Sequence, residues 1–194
     1  MSKKIALILV MILGGDVAAA ADQQASWSDL NAEIESRYRA GDYAGAMEIA
    51  EQVRQVAEQR LDSDGLPLAA TLNKMALIYG AQGDYSKAEQ AFQRALEIQE
   101  RALGGDDLDL ATTLSNLGWI YYRQGRYQDG VPLLERALAI REKALGPDHY
   151  DVAVSLSNLA VFYMALQRVD EAQALSARAA KIWHVGDIRE AEAL

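Results

Sequence analysis

The sequence predicts an all-α protein, an α-solenoid of stacked helical hairpins. Three observations predict it. The 194 residues include 14 Gly and 3 Pro, below the average combined usage of about 12%. That is thin punctuation for an all-β chain, which turns every few residues. A block of similar residues also returns every 42 positions: Ala69-Ala70-Thr71-Leu72, Ala111-Thr112-Thr113-Leu114 and Ala153-Val154-Ser155-Leu156. Within a unit, apolar and small residues fall at i, i+3, i+4 and i+7, as in Leu114, Leu117, Gly118 and Tyr121. That spacing is one face of a helix.

Composition narrows the chemistry. At 51% hydrophobic and 24% charged residues the chain is globular in character, with enough apolar material for a core. With Cys 0, disulfides, thiol catalysis and thiolate metal sites are excluded together. Two histidines are too few for a metal site or base built on several imidazoles. No cofactor or metal is expected. Lys+Arg 19 against Asp+Glu 28 gives a net charge of -9, so phosphate backbones and anionic membrane surfaces repel the chain. Nucleic acid is therefore not an expected partner.

The first residues differ from the rest. Lys3 and Lys4 precede the apolar run Ile5–Leu13, Gly14-Gly15 break it, and Ala18–Ala21 offer small-x-small cleavage frames. This is the order of a secretory signal peptide, assigned to residues 1–21. Nine apolar residues span about 14 Å as a helix, half of a bilayer core of about 30 Å. No stable membrane span is expected after processing, and the mature chain is expected to be periplasmic or secreted. An N-terminally membrane-anchored form is the alternative.

The 42-residue frame extends backwards and forwards. Tyr79, Tyr121 and Tyr163 share one register, Ala95, Ala137 and Ala179 another, and Gly41-Asp42-Tyr43 precedes Gly83-Asp84-Tyr85 by one period. The units are 27–68, 69–110, 111–152 and 153–194, within a repeat domain of 22–194. In the third unit Gly125-Arg126 is the turn, and Tyr127, Gly130, Leu133, Leu134, Ala137 and Leu138 mark a second helix. It should stop near Gly146, with Pro147 beyond. Gly104-Gly105 ends a helix in the same way, and Asp109 and Asp151 stand where an N-cap is expected. Ala76, Gly118 and Ala160 in first helices, with Ala88, Gly130 and Ala172 in second helices, leave room for close approach.

The pattern Leu114-x-x-Leu117-Gly118-x-x-Tyr121, then Gly125, Tyr127, Gly130, Leu134 and Ala137, resembles the tetratricopeptide repeat, which is usually 34 residues long. Eight extra residues, with Ala144-Leu145-Gly146-Pro147-Asp148-His149 between units, make it similar to the longer repeat of kinesin light chains and related bacterial proteins. The resemblance runs from Trp27 to Leu194. It implies a right-handed superhelix (α-solenoid) of tetratricopeptide-type helical hairpins, with first helices lining a concave groove. It further implies a non-enzymatic scaffold that binds a protein or an extended peptide.

In the family an Asn at position 6 of a unit holds a peptide backbone. Carried over, it falls on Asn116 and Asn158. The second unit departs from this, with Lys74 at position 6 and Asn73 beside it, and the first has Asn31 at position 5 and Ala32 at 6. An Asn amide can donate to and accept from a peptide group whatever the ligand's side chains. The alternative is that each Asn caps or bridges neighbouring helices. Trp119, Tyr122, Arg123 and Met164, with Tyr38 and Arg39, sit around these positions and are types that dominate binding hot spots. The alternative for the aromatics is packing between adjacent first helices. Lys74, Arg123 and Arg39 make the groove less acidic than the outer faces, fit for a ligand carboxylate. Catalysis has little support, because Asp106, Asp107 and Asp109 lie in an inter-repeat loop with no wall to shift a pKa.

The outer units vary. Glu33 and Arg37 replace the apolar residue and Tyr of the motif in the first unit, leaving Trp27, Leu30, Ile34 and Tyr38 to be buried. A polar outer face suits a capping repeat. The fourth unit has Gln167-Arg168-Val169 in place of the Gly-Tyr turn. Its second helix is expected to stop at Gly186, with Asp187 capping a short helix whose Ile188, Ala191 and Leu194 cover the end. Left uncovered, Ile182, Trp183 and Ile188 form an apolar end that favours a homodimer. The alternative function is thus a self-associating subunit of an envelope assembly.

Overall fold

The computed structural model describes the backbone of residues 19–59 and 65–192 and the side chains of 29–58 and 65–184. The segment assigned to the signal peptide lies almost wholly outside the described residues, as do the side chains of Trp27, Ile188, Ala191 and Leu194. Among the described residues there are eight α-helices and no strand: α1 (Ala19–Arg39), α2 (Tyr43–Gln59), α3 (Leu66–Ala81), α4 (Tyr85–Leu103), α5 (Leu108–Arg123), α6 (Tyr127–Leu145), α7 (Tyr150–Ala165) and α8 (Val169–Glu192). They form two compact units, divided after Ala102.

The first unit holds α1–α4. Leu30 and Ile34 of α1 are buried with Ala46, Ile49, Ala50, Val53 and Val56 of α2 and with Met75 and Ile78 of α3. Ala69 and Leu72 of α3 meet Ala95 and Ile98 of α4 in a second cluster. The expected stripe of the first helix is confirmed for Leu30 and Ile34, while Tyr38 packs at its margin. Glu33 and Arg37 form an ion pair at 2.9 Å, and Arg37 also reaches Asp42 at 3.0 Å.

The second unit holds α5–α8. Val131 and Leu134 of α6 are buried with Leu159, Ala160, Phe162 and Tyr163 of α7 and Ala172 of α8. Val152, Ala153 and Leu156 of α7 meet Ala179 and Ile182 of α8. The small residues allow the close approach expected of them. A Cβ on Gly130 would lie 3.3 Å from the Gly118 carbonyl oxygen and would run into the edge of the buried Phe162 ring.

Every hairpin turns in the same way. The Arg126 N–H donates to Tyr121 O at 2.8 Å and the Gly125 N–H to Tyr122 O at 3.0 Å, the paired bonds of a Schellman ending. Equivalent bonds close the turns after α1, α3 and α7. The left-handed residue is Gly41, Gly83 and Gly125 in three turns, with φ of 77°, 82° and 75°. In the fourth it is Gln167, at φ 61°. The fourth unit therefore keeps the turn despite losing its glycine, because the hydrogen-bonded ending tolerates the cost of a side chain there.

Three expectations are corrected. The N-caps of α5 and α7 are Asp107 and His149, two residues earlier than expected. Asp107 Oδ1 accepts from the Asp109 N–H at 2.8 Å, and His149 Nδ1 accepts from the Asp151 N–H at 3.1 Å. Asp109 and Asp151 sit in the first turn instead, where a carboxylate is favoured by the helix dipole. Next, α8 does not stop at Gly186 but continues to Glu192, since an isolated glycine costs a helix only about 1 kcal/mol. Finally, Ile182 is buried against α7 rather than exposed, leaving Trp183 at 38% exposure.

Candidate functional site

The candidate site of the second unit is carried by its two first helices. On α5, Asn116, Trp119 and Arg123 fall at i, i+3 and i+7; on α7, Asn158, Val161 and Ala165 do the same, so each set shares a helix face. Asn116 and Asn158 are both half-buried. Neither amide makes a hydrogen bond within the described residues. The helices that carry them are fixed by the buried clusters around Leu114, Leu117, Leu156 and Leu159, not by the amides themselves.

Trp119 and Tyr122 are half-buried and meet edge to face, with ring centroids 5.1 Å apart. Both also contact Phe162 of α7, at 5.6 and 5.3 Å, and Tyr122 meets Tyr127 at 5.0 Å. These distances are those of favourable aromatic pairs, so the rings have a packing role between α5, α6 and α7. Met164 is 50% exposed. Arg123 is exposed and engaged by the protein.

In the first unit Asn73 is half-buried and likewise engaged. Lys74 Nζ stands 3.8 Å from Glu35 Oε2, and Arg39 pairs with the same carboxylate. One glutamate thus offsets part of the positive charge expected there.

Two exposed apolar residues, Leu77 at 37% and Val161 at 38%, share the register of Trp119 and were not singled out by residue type. Following the 42-residue spacing from Trp119 in both directions finds them.

The carboxylates considered for catalysis have structural partners. Asp107 caps α5, and Asp106 pairs with Lys143. No cluster of His, Cys, Asp or Glu suited to a metal ion occurs among the described residues. A shallow cavity of about 300 Å³ lies between Gln128, Val131, Leu166 and Arg168. Its Arg168 is committed to Glu171 and to the face of Tyr163, 4.0 Å away. No described helix is long and apolar enough to cross a membrane.

A polar junction inside the second unit escaped the sequence reading. Arg141 of α6 donates through Nη1 to Ser115 Oγ of α5 at 3.0 Å and to Ser155 Oγ of α7 at 2.8 Å. Burial holds its guanidinium below the usual arginine value against the opposing pull of Asp151. Nearby, the Tyr163 hydroxyl donates to Glu135 Oε1 at 2.7 Å, tying α7 to α6.

Comparison with known proteins agrees with this architecture. The tetratricopeptide repeat family profile matches residues 30–101, 67–143 and 109–183. No curated protein matches the sequence. Among solved structures, BtubC (BKLC) from P. vanneervenii is similar with a TM-score of 0.77 and 24% identity, covering 84% of this chain and 65% of that one. The chain thus spans under two thirds of that protein. The kinesin-light-chain-type TPR-like repeats of Podosopora anserina are similar with a TM-score of 0.72 and 25% identity, covering 84% of this chain and 76% of that one. A further structure of those repeats gives 0.68 and 25%, with coverage of 81% and 75%. The chain belongs to the tetratricopeptide repeat family, whose helical hairpins serve as protein–protein interaction scaffolds.

Proposed function

We propose that the protein is exported and binds an extended peptide or protein segment along its first helices, without cofactor or catalysis. The observation that carries this reading is the pair of amides on Asn116 and Asn158. They stand one repeat apart on α5 and α7, half-buried, with no hydrogen bond inside the described residues. A half-buried amide with no partner is a cost to the fold and an asset to a binder of backbone. Val161 and Met164, exposed beside Asn158, offer apolar contact to ligand side chains. The export reading rests on Lys3, Lys4 and the run Ile5–Leu13.

The test is a photo-crosslinker at Met164 in the native cell, with crosslinked partners identified by mass spectrometry. The variant carrying Asn116→Ala and Asn158→Ala should stay folded and lose its partner. Each amide is worth about 1 kcal/mol, so the pair should weaken binding roughly thirtyfold. Undiminished crosslinking in the double variant overturns the assignment.

A further inference from the structure

Arg141 is exceptional in its register. The same position is Gln99 one repeat back, Ala57 two repeats back and Trp183 one repeat forward. None is charged, so stacking one hairpin on the next does not require a cation there. The arginine is nevertheless preorganised. Ser115 and Ser155 donate their own protons back along their helices, to Ala111 O at 2.9 Å and Asp151 O at 2.8 Å. Their lone pairs therefore face Nη1, and both Nη1 hydrogens are used. That leaves the other edge of the guanidinium, Nε–H beside an Nη2–H, which has no acceptor among the described residues. No described carboxylate pairs with Arg141. Asp151 acts on it only at longer range, and Asp151 Oδ2 lies 3.7 Å from His149 Nδ1. Glu142 is taken by Arg178 at 2.6 Å. The side chain is half-buried, not sealed, so solvent and small groups reach it.

A fixed guanidinium edge with two parallel N–H groups matches the two oxygens of a carboxylate. Partial removal from water makes such a pair stronger than on an open surface. We propose that the Nε/Nη2 edge of Arg141 is a carboxylate-binding subsite, held open by Ser115 and Ser155. It uses neither the Asn116 nor the Asn158 amide and stands or falls without them. An acidic side chain and a free chain end carry the same chemistry.

The test follows the Arg141 Nε–Hε signal by NMR in the intact protein at constant ionic strength. N-acetyl-alanine supplies a chain-end carboxylate and N-acetyl-aspartate amide a side-chain one. Either probe should move the signal saturably, with a dissociation constant on the order of 1 mM, and the tighter one names the source. Arg141→Lys keeps the charge and loses the fork, so the protein-wide shifts should need at least tenfold more probe. The titration of the unmodified chain does not depend on that variant's folding. A signal that moves no further than those of the other arginines overturns the proposal. So does an equal response to sulfate, which would make the site one for any anion.

Discussion

Gln167 bears the cost of a conformation that glycine adopts freely. Its φ of 61° stands where Gly125 has 75°, and an ordinary L-residue pays roughly 1–2 kcal/mol in that region. Part of any gain from glycine is lost to the greater freedom of the unfolded chain. Gln167→Gly should therefore raise stability by about 0.5–1 kcal/mol, read as a higher urea midpoint with unchanged slope. A lower midpoint would show that the Gln167 side chain contributes something its exposed position does not reveal. Gly130 poses the opposite case. Gly130→Ala drives a methyl group into Phe162, and overpacking costs about 1–3 kcal/mol. Phe162→Leu in the same chain should recover part of that loss, a coupling measurable by a double-mutant cycle. Additive losses would mean that the backbone gives way instead. The N-caps Asp107 and His149 show what residue type alone conceals. By type Asp109 caps as well as Asp107, and Asp151 better than His149, so only the first hydrogen-bonded turn selects the residue two places earlier.

Helices were legible where their ends were chemically marked. Gly146 and Pro147 stop α6 at Leu145, and Gly104 stops α4 at Leu103. Gly186 carries no such companion, and α8 runs through it. Exposed faces are laced with short-range ion pairs that sequence spacing also foretells. Arg54 of α2 bridges Glu51 and Glu58, at 2.5 and 2.6 Å. Its hydrogen bond holds the Glu51 carboxyl below its ordinary value of 4.5. A carboxylate with a lowered folded pKa stabilises fully above its unfolded value and less as pH falls through the folded one. The urea midpoint should therefore drop more between pH 7 and 3 in the natural chain than in Arg54→Met. Equal drops would show that solvent screens the pair completely.

At the scale of the whole chain, the net charge of -9 disfavours polyanionic partners, and polar faces on α1 and α8 limit self-association. The face that α6 turns to α7 includes Val131, Leu134 and Leu138. One repeat later the same register on α8 reads Gln173, Ser176 and Ala180, all exposed. On α1 the exposed Glu33 and half-buried Arg37 are paired with each other. A polar face gains little from burial, so light scattering should give a monomer mass at micromolar concentration. A stable dimer abolished by Trp183→Ser would instead assign assembly to the exposed tryptophan of α8.

Repetition made the architecture readable: a period of 42 residues, apolar spacing within it and small residues at fixed places require helical hairpins, because no hairpin can bury its own apolar face. The resemblance to the tetratricopeptide repeat, laid on that period, pointed to Asn116 and Asn158. It could not decide whether their amides are used by the fold, since that depends on which neighbours come within 3.5 Å. Nor could it find the Arg141 junction, whose serines lie 26 and 14 residues away in sequence. Periodicity is a property of the chain, and hydrogen bonding between helices is a property of their packing. The first fixed the elements; the second decided which polar groups are spent on the fold and which stay available to a ligand.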